Sequence, residues 1–435
     1  MSLHALLSRR RVRRLIVRFV RRLGPVRRLL RRGPLEPSQI RVSWTGDPAR
    51  SLAIRWNARA TRTAPCAEIR PLGGGAWRRI PARATPAIGC GGFLYECAIG
   101  ELEPDTTYEY RLSKGPSADA PWSAIHRVRS APAPSQGSSR AVFFADVGVA
   151  GRPDGLADAA SRVVAEMVAD APGVALGGGD YAYADTDLRF IDPADAIDAW
   201  FDQMQPLFAS TPFMPVLGNH EILLGEGYDE WAPRLALPPG EEGGRSYSFD
   251  VGPTHFCALF APGRLPERRH LDWLERDLAA ARQAGALWLV VYQHAPVFAH
   301  GRSHPAHHEV QATLPPILER HGVDLHLSAH DQSYERTFAL CDGASRVAAA
   351  DPARIRAGSG VVYAKISPAG KRSNRAGDFS RITCPTPPQI AVRSDACHHY
   401  GLLRIDSRRL EVEVVGIPEG NTPRLRVDHF VIERN

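Results

Sequence analysis

From residue 38 to about 130 the apolar positions come in short alternating runs. Ile40-Arg-Val-Ser-Trp44, Ser51-Leu-Ala-Ile-Arg-Trp56 and Thr107-Tyr-Glu-Tyr-Arg-Leu112 each put a hydrophobic side chain on every second position. A period of two predicts half-buried strands. Strands at this spacing, within about 90 residues, predict a small β-sandwich over residues 37–130. The stretch Ser130-Ala-Pro-Ala-Pro-Ser-Gln-Gly-Ser-Ser139 then reads as a linker, placed at 131–140.

Beyond the linker the pattern changes. Ala141-Val-Phe-Phe-Ala145 is an uninterrupted apolar strand, followed by a helix over 156–170 and a strand over 174–176. Helical periodicity returns at 195–209, 270–283 and 309–321. Strand signals fall at 213–217, 254–260, 287–292 and 323–328. Alternation of this kind predicts an α/β domain over 141–435. Residues from about 358 onward are mainly strand and loop, with 402–405 and 410–415 the clearest strands. No internal repeat is visible.

Composition agrees with a folded chain. The 435 residues are 44% hydrophobic, 23% charged and 8% aromatic, which excludes a disordered chain, a collagen-like repeat or a coiled coil. The formal charge of +7 points at first to nucleic acid or a membrane surface. Its location changes that picture. Residues 1–33 hold twelve Arg and no acid; against 54 Lys+Arg and 47 Asp+Glu overall, the rest of the chain carries about −5. The body lacks a basic patch with interleaved aromatics, which disfavours a nucleic-acid partner.

The leading tail has two readings. Val12, Ile16, Phe19 and Leu23 share one helical face, with Arg over the rest of residues 9–32 until Gly24-Pro25 breaks the helix. Such a helix suits an anionic membrane surface. The other reading is a disordered basic extension. No uninterrupted apolar stretch of the length a cleavable signal needs is present, nor a transmembrane span of about 20 apolar residues. A twin-arginine export signal lacks its apolar region. Membrane-surface association and export both stay open. Seven cysteines without CxxC spacing disfavour a zinc ribbon or redox motif.

The candidate chemistry sits at strand ends. Asp146, Asp180, Asn219 with His220, His294 and His330 each follow an apolar run. In open α/β sheets the C-terminal strand edges form the ligand crevice. Five strands ending in oxygen or imidazole donors suit a pair of ions about 3.5–4 Å apart that clamps a phosphoryl group.

Five blocks carry a family resemblance. They are Asp146-Val-Gly148, Gly179-Asp-Tyr-Ala-Tyr183, Gly218-Asn-His-Glu221, Val291-Tyr-Gln-His294 and Ala329-His-Asp-Gln332, with Tyr-Ala-Asp185 and Tyr334-Glu-Arg336 flanking. In this order they resemble a purple acid phosphatase within the calcineurin-like metallophosphoesterases. Gly148 and Tyr183 are the paired exchange that marks the purple subfamily. The stretch from Pro37 to Asp47 resembles that family's fibronectin-like N-terminal module. The resemblance implies a four-layer β-sandwich flanked by helices, behind a small all-β fibronectin type III-like domain.

It also implies roles. Asp180 would bridge two ions. Asp146 and Tyr183 would hold an Fe(III)-type ion, and Asn219, His294 and His330 a second ion of Zn, Mn or Fe(II). His220 would sit in the outer sphere, binding phosphate or assisting the leaving group, with Glu221 orienting it, and His304 would face substrate, although His300, His307 and His308 lie in the same loop. Gln332 stands where the family has a ligand histidine, and a neutral amide is a poorer ligand for these metals than imidazole. The expectation is a weaker or altered first site, with lower iron occupancy, another metal or a single-metal enzyme, unless His398 or His399 substitutes. The implied activity is hydrolysis of small phosphate esters, monoesters first, by a hydroxide made acidic by the metals. Phosphodiesters or nucleotides fit the same core. An impaired, membrane-tethered binding protein is the reading of another class that Gln332 and the tail motivate.

Overall fold

In the computed structural model, residues 34, 36–58, 65–86, 92–114, 121–190, 192–222, 230–301, 304–343, 345–346, 351–372 and 385–434 are described. The Arg-rich segment 9–32 lies outside them. Two four-stranded antiparallel sheets form the first unit. One joins Ser38–Ser43, Leu52–Ala58, Phe93–Ile99 and Arg83–Pro86, the other Arg78–Pro81, Cys66–Pro71, Thr107–Leu112 and His126–Arg129. Trp44, Trp56, Tyr95 and Tyr110 fill the space between them. Polar residues of these strands pair across the outer faces, as Glu68 does with Arg79 and Arg111.

The larger unit has four layers. Its first sheet runs Phe213–Pro215, Val174–Gly177, Ser139–Phe144, His398–Ile405, Arg409–Ile417, Leu425–Glu433 and Arg354–Arg356. Its second runs Tyr247–Val251, Thr254–Ala258, Trp288–Tyr292, Leu325–Ser328, Val361–Lys365, Tyr334–Cys341 and Ser345–Arg346, with Ile390–Ser394 beside Tyr334–Cys341. Successive side chains of a strand point to opposite faces. Ala141 and Phe143 therefore meet Val290 and Tyr292 between the sheets, while Val142 and Phe144 face outward. A strand buried on both faces must read as a continuous apolar run, which is why Ala141–Ala145 shows no alternation.

Helices close the outer layers. Ala160–Ala169 and Pro193–Phe208 cover the first sheet, Arg268–Gln283 and His308–Arg320 the second. Asp192 caps the second of these helices by accepting from the Ala194 amide, with Pro193 in its first turn. Leu271, Leu274, Leu278 and Ala281 make one buried stripe on Arg268–Gln283. The sandwich docks on the larger unit through Tyr110, whose hydroxyl donates to the Ala209 carbonyl at 2.6 Å. The linker is pinned: the Ser135 amide donates to the Gly252 carbonyl at 2.7 Å. Cys66, Cys97, Cys257 and Cys397 are free thiols. Among the described residues no helix is long and apolar enough to cross a membrane.

Candidate metal centre

Parallel pairing aligns the strand ends. Ser139–Phe144, Val174–Gly177 and Phe213–Pro215 run parallel, as do Trp288–Tyr292 and Leu325–Ser328. Their C-terminal edges deliver Asp146, Asp180, Asn219, His294 and His330 to one rim shared by both sheets. Two glycines permit the close approach. A Cβ on Gly218 would lie 2.2 Å from Asp180 Oδ1, and one on Gly179 would lie 2.7 Å from His294 Nδ1. Four of the site residues carry left-handed backbone: Asp146 (φ 56°), Asp180 (φ 55°), Tyr183 (φ 50°) and His330 (φ 71°).

One cluster of donors forms around His294. Its Nδ1 hydrogen-bonds the Gly178 carbonyl at 2.7 Å. That bond fixes the ring and leaves Nε2 facing Asn219 Oδ1 at 3.2 Å, His330 Nδ1 at 3.1 Å and Asp180 Oδ2 at 3.2 Å. Asp180, His294 and His330 each bring a ligand atom within 4.8 Å of the others. So many lone pairs aimed at one point fit a cation. Burial disfavours a charged His294 ring, but Asp180 outweighs it and lifts its pKa to about 9. Burial and the neighbouring His294 push His330 down to about 2.

The second cluster forms around Asp146. The Tyr183 hydroxyl donates to Asp146 Oδ1 at 2.5 Å. Gln332 Nε2 donates to that same oxygen at 3.1 Å and to the Tyr183 oxygen at 2.9 Å. Gln332 Oε1 is buried with no hydrogen-bond partner. Which end of an amide points inward is assigned from its hydrogen bonds. Turned over, Oε1 would join Asp146 and Tyr183 as a third oxygen donor, so the set fits an ion in that orientation. His398 and His399 begin the strand His398–Ile405, where His399 Nδ1 meets the Cys397 carbonyl at 2.9 Å.

The remaining predicted residues separate. His220 stands over the Tyr183 ring at 4.3 Å between centroids, and its Nδ1 is 2.7 Å from Asp185 Oδ1. Burial disfavours its charged form, yet Asp180 and Asp185 raise its pKa. Glu221, which the resemblance implies orients His220, contacts backbone amides in the structure. Its buried carboxylate accepts from the amides of Asp180, Tyr181 and Gly218 at 2.8–2.9 Å, so it braces two ligand loops. Asp185 is what grips His220. His304 is exposed and packs on His330 with centroids 4.4 Å apart. His300 instead bonds Glu335 at 2.8 Å, while His307 and His308 open an exposed helix end.

Lys371 escaped the sequence reading. Its ammonium sits 4.2 Å from the Tyr183 ring centroid and its amide donates to the Asp146 carbonyl at 2.9 Å. Burial and Arg152 lower its pKa to about 8, against the pull of Asp146 and Asp180. Gly148 makes room for it, since a Cβ there would lie 3.1 Å from Lys371 Cβ. Lys371 is one of only three lysines in an Arg-rich chain, which was the signal available.

Known proteins share this arrangement. Residues 37–130 match the purple acid phosphatase N-terminal domain, and residues 139–334 match the calcineurin-like phosphoesterase domain. The chain thus carries a purple acid phosphatase-type N-terminal domain followed by a calcineurin-like phosphoesterase domain. Human acid phosphatase type 7 is 27% identical over 334 residues, 70% of this chain and 71% of that one. Purple acid phosphatase 15 of Arabidopsis thaliana is 28% identical over 273 residues, 57% of this chain and 50% of that one. A purple acid phosphatase from yellow lupin (Lupinus luteus) seeds superposes with a TM-score of 0.76 at 17% identity, covering 92% of this chain and 75% of that one, which shows the fold. Metal-dependent hydrolysis of phosphate esters is the chemistry of this phosphoesterase family, and its metal site is dinuclear.

Proposed function

We propose that the chain hydrolyses small phosphate monoesters, with Asp180 shared between two ions. Asp146, Tyr183 and Gln332 would hold the first, an Fe(III)-type ion. Asn219, His294 and His330 would hold the second: Zn, Mn or Fe(II). The observation that carries this reading is the convergence of Asp180, Asn219 and His330 on His294 Nε2, all within 3.2 Å. When bound, such a pair makes water acidic and neutralises charge on a phosphoryl group.

The chain's own residues supply the rest. The Gly178 carbonyl keeps His294 turned so that Nε2 is the ligand atom. Asp185 holds His220 by Nδ1, which leaves Nε2 to protonate a leaving alkoxide. His304, exposed beside His330, is placed to meet the substrate. The relatives are named as acid or purple acid phosphatases, which supports monoester hydrolysis over a binding protein without turnover. The division into a sandwich at 37–130, a linker at 131–140 and a catalytic unit at 141–435 belongs to the same proposal.

Turnover of p-nitrophenyl phosphate, compared with bis(p-nitrophenyl) phosphate, tests it. Monoester turnover should dominate. It should fall on the order of 1000-fold in Asp180→Asn, the equivalent of about 4 kcal/mol. Turnover retained in that variant overturns the assignment. Attachment of residues 9–32 to an anionic membrane surface is a separate proposal. Vesicle co-sedimentation with and without residues 2–33 tests it, since the loss of those residues should abolish binding and spare turnover.

A further inference from the structure

A second set of metal-type donors meets beneath the helix Arg268–Gln283. His255 and Cys257 are two apart on the strand Thr254–Ala258 and so share a face. The helix covers that face and adds Asp277. His255 Nε2 lies 2.9 Å from Asp277 Oδ2, and the Cys257 thiol donates to the same oxygen at 3.0 Å. The three ligand atoms all lie within 4.8 Å of one another.

The surroundings are those of a ligand set. His255 Nδ1 meets Asp250 Oδ1 at 2.8 Å, the carboxylate–histidine pairing that orients a metal-bound imidazole. Asp277 Oδ1 accepts from the Ser248 hydroxyl at 2.7 Å, which fixes the carboxylate. A cavity of about 220 Å³, with Asp250, His255 and Asp277 in its wall, gives an entry path and room for a water. The set is separate from the candidate centre. His255 pairs with Leu289, at the end of the strand Trp288–Tyr292 remote from His294.

We propose that His255 Nε2, the Cys257 thiolate and an Asp277 oxygen bind one zinc ion, with water from the cavity as the fourth ligand. Thiolate plus carboxylate supplies two negative charges to a divalent ion, and sulfur selects zinc over magnesium or calcium. The metal-free alternative is a protonated His255 held between two carboxylates. That ion pair has no use for a buried thiol aimed at the oxygen His255 already contacts; the zinc site does. Bound zinc straps the helix to the edge strands of the second sheet.

Cobalt(II) substitution tests this, because the candidate catalytic donors contain no sulfur. A thiolate-to-cobalt band in the near ultraviolet is expected in the wild type and in Asp180→Asn. It should vanish in Cys257→Ser and also in His255→Gln, which keeps the thiol should the serine variant fold poorly. Metal analysis should find one zinc fewer per chain in either variant, with phosphatase turnover within about twofold of wild type, as expected for a distant site. Absence of the band in the wild type, or its persistence in both variants, overturns the proposal and leaves a hydrogen-bonded His–Asp cluster. Neither readout depends on phosphatase activity, so the two assignments fail independently.

Discussion

Gln332 Nε2 lies 3.1 Å from Asp146 Oδ1 and donates a hydrogen to it. The amide thus closes, with its hydrogens, the direction from which a ligand lone pair would meet an ion. Metal entry requires the amide to turn over, which sacrifices this bond and the one to Tyr183. Gln332→His removes that cost and supplies a stronger donor. Metal titration should show first-site affinity rising about tenfold, which adds about 1.4 kcal/mol of metal-dependent stability. Iron content and the visible tyrosinate-to-iron absorption should rise with it. Equal iron content and activity in both proteins would sink this account.

Asp185 controls His220 through one contact of 2.7 Å. Asp185→Asn keeps the size of the side chain but not its charge. A misoriented, less basic imidazole should lower kcat by about 10- to 100-fold and leave KM nearly constant. Steady-state kinetics separates the two constants. A rise in KM alone would move Asp185 from positioning to substrate binding.

His304 offers an exposed imidazole beside His330. Its removal takes away the proposed contact to substrate and none of the proposed metal donors. His304→Ala should raise KM several-fold, on the order of 1 kcal/mol, at unchanged metal content. A parallel loss of metal would show that the ring contact supports His330 instead.

Glu335 should govern acid stability. It is buried against Lys365 at 3.1 Å and His300 at 2.8 Å. Burial opposes its charge, but Lys365 and His300 prevail and lower its pKa from 4.5 to about 2. A carboxylate depressed by folding stabilises the native state fully above its unfolded pKa. That contribution, roughly 3 kcal/mol, disappears as pH falls through the folded value. Urea unfolding should therefore show Glu335→Gln less stable at pH 7, with the difference shrinking from pH 4.5 towards pH 2. A difference independent of pH would assign the loss to packing.

The strand-end donors were legible because the physics is local. Each follows an apolar run, and parallel pairing brings such ends together. Helix onset was less legible: the periodicity from Leu156 suggested a helix, yet it begins at Ala160. Asp154 Oδ1 accepts from the Leu156 amide at 3.1 Å, so the preceding residues spend their hydrogen bonds on a turn. Short strands such as Arg78–Pro81, with Arg at two positions and Pro at the end, carry no alternating signal. Lys371 reaches the site through loop closure over a long sequence separation, and no periodicity encodes that; Asp185 lies in a flank already singled out, but its grip on His220 spans 35 residues and has no local signal.

The left-handed backbone at Asp146, Asp180, Tyr183 and His330 sets stability against chemistry. Each such residue costs about 1 kcal/mol that glycine would not incur. Glycine at any of these positions would relieve the backbone and remove the donor, so the rim cannot be made more stable there without losing a polar side chain.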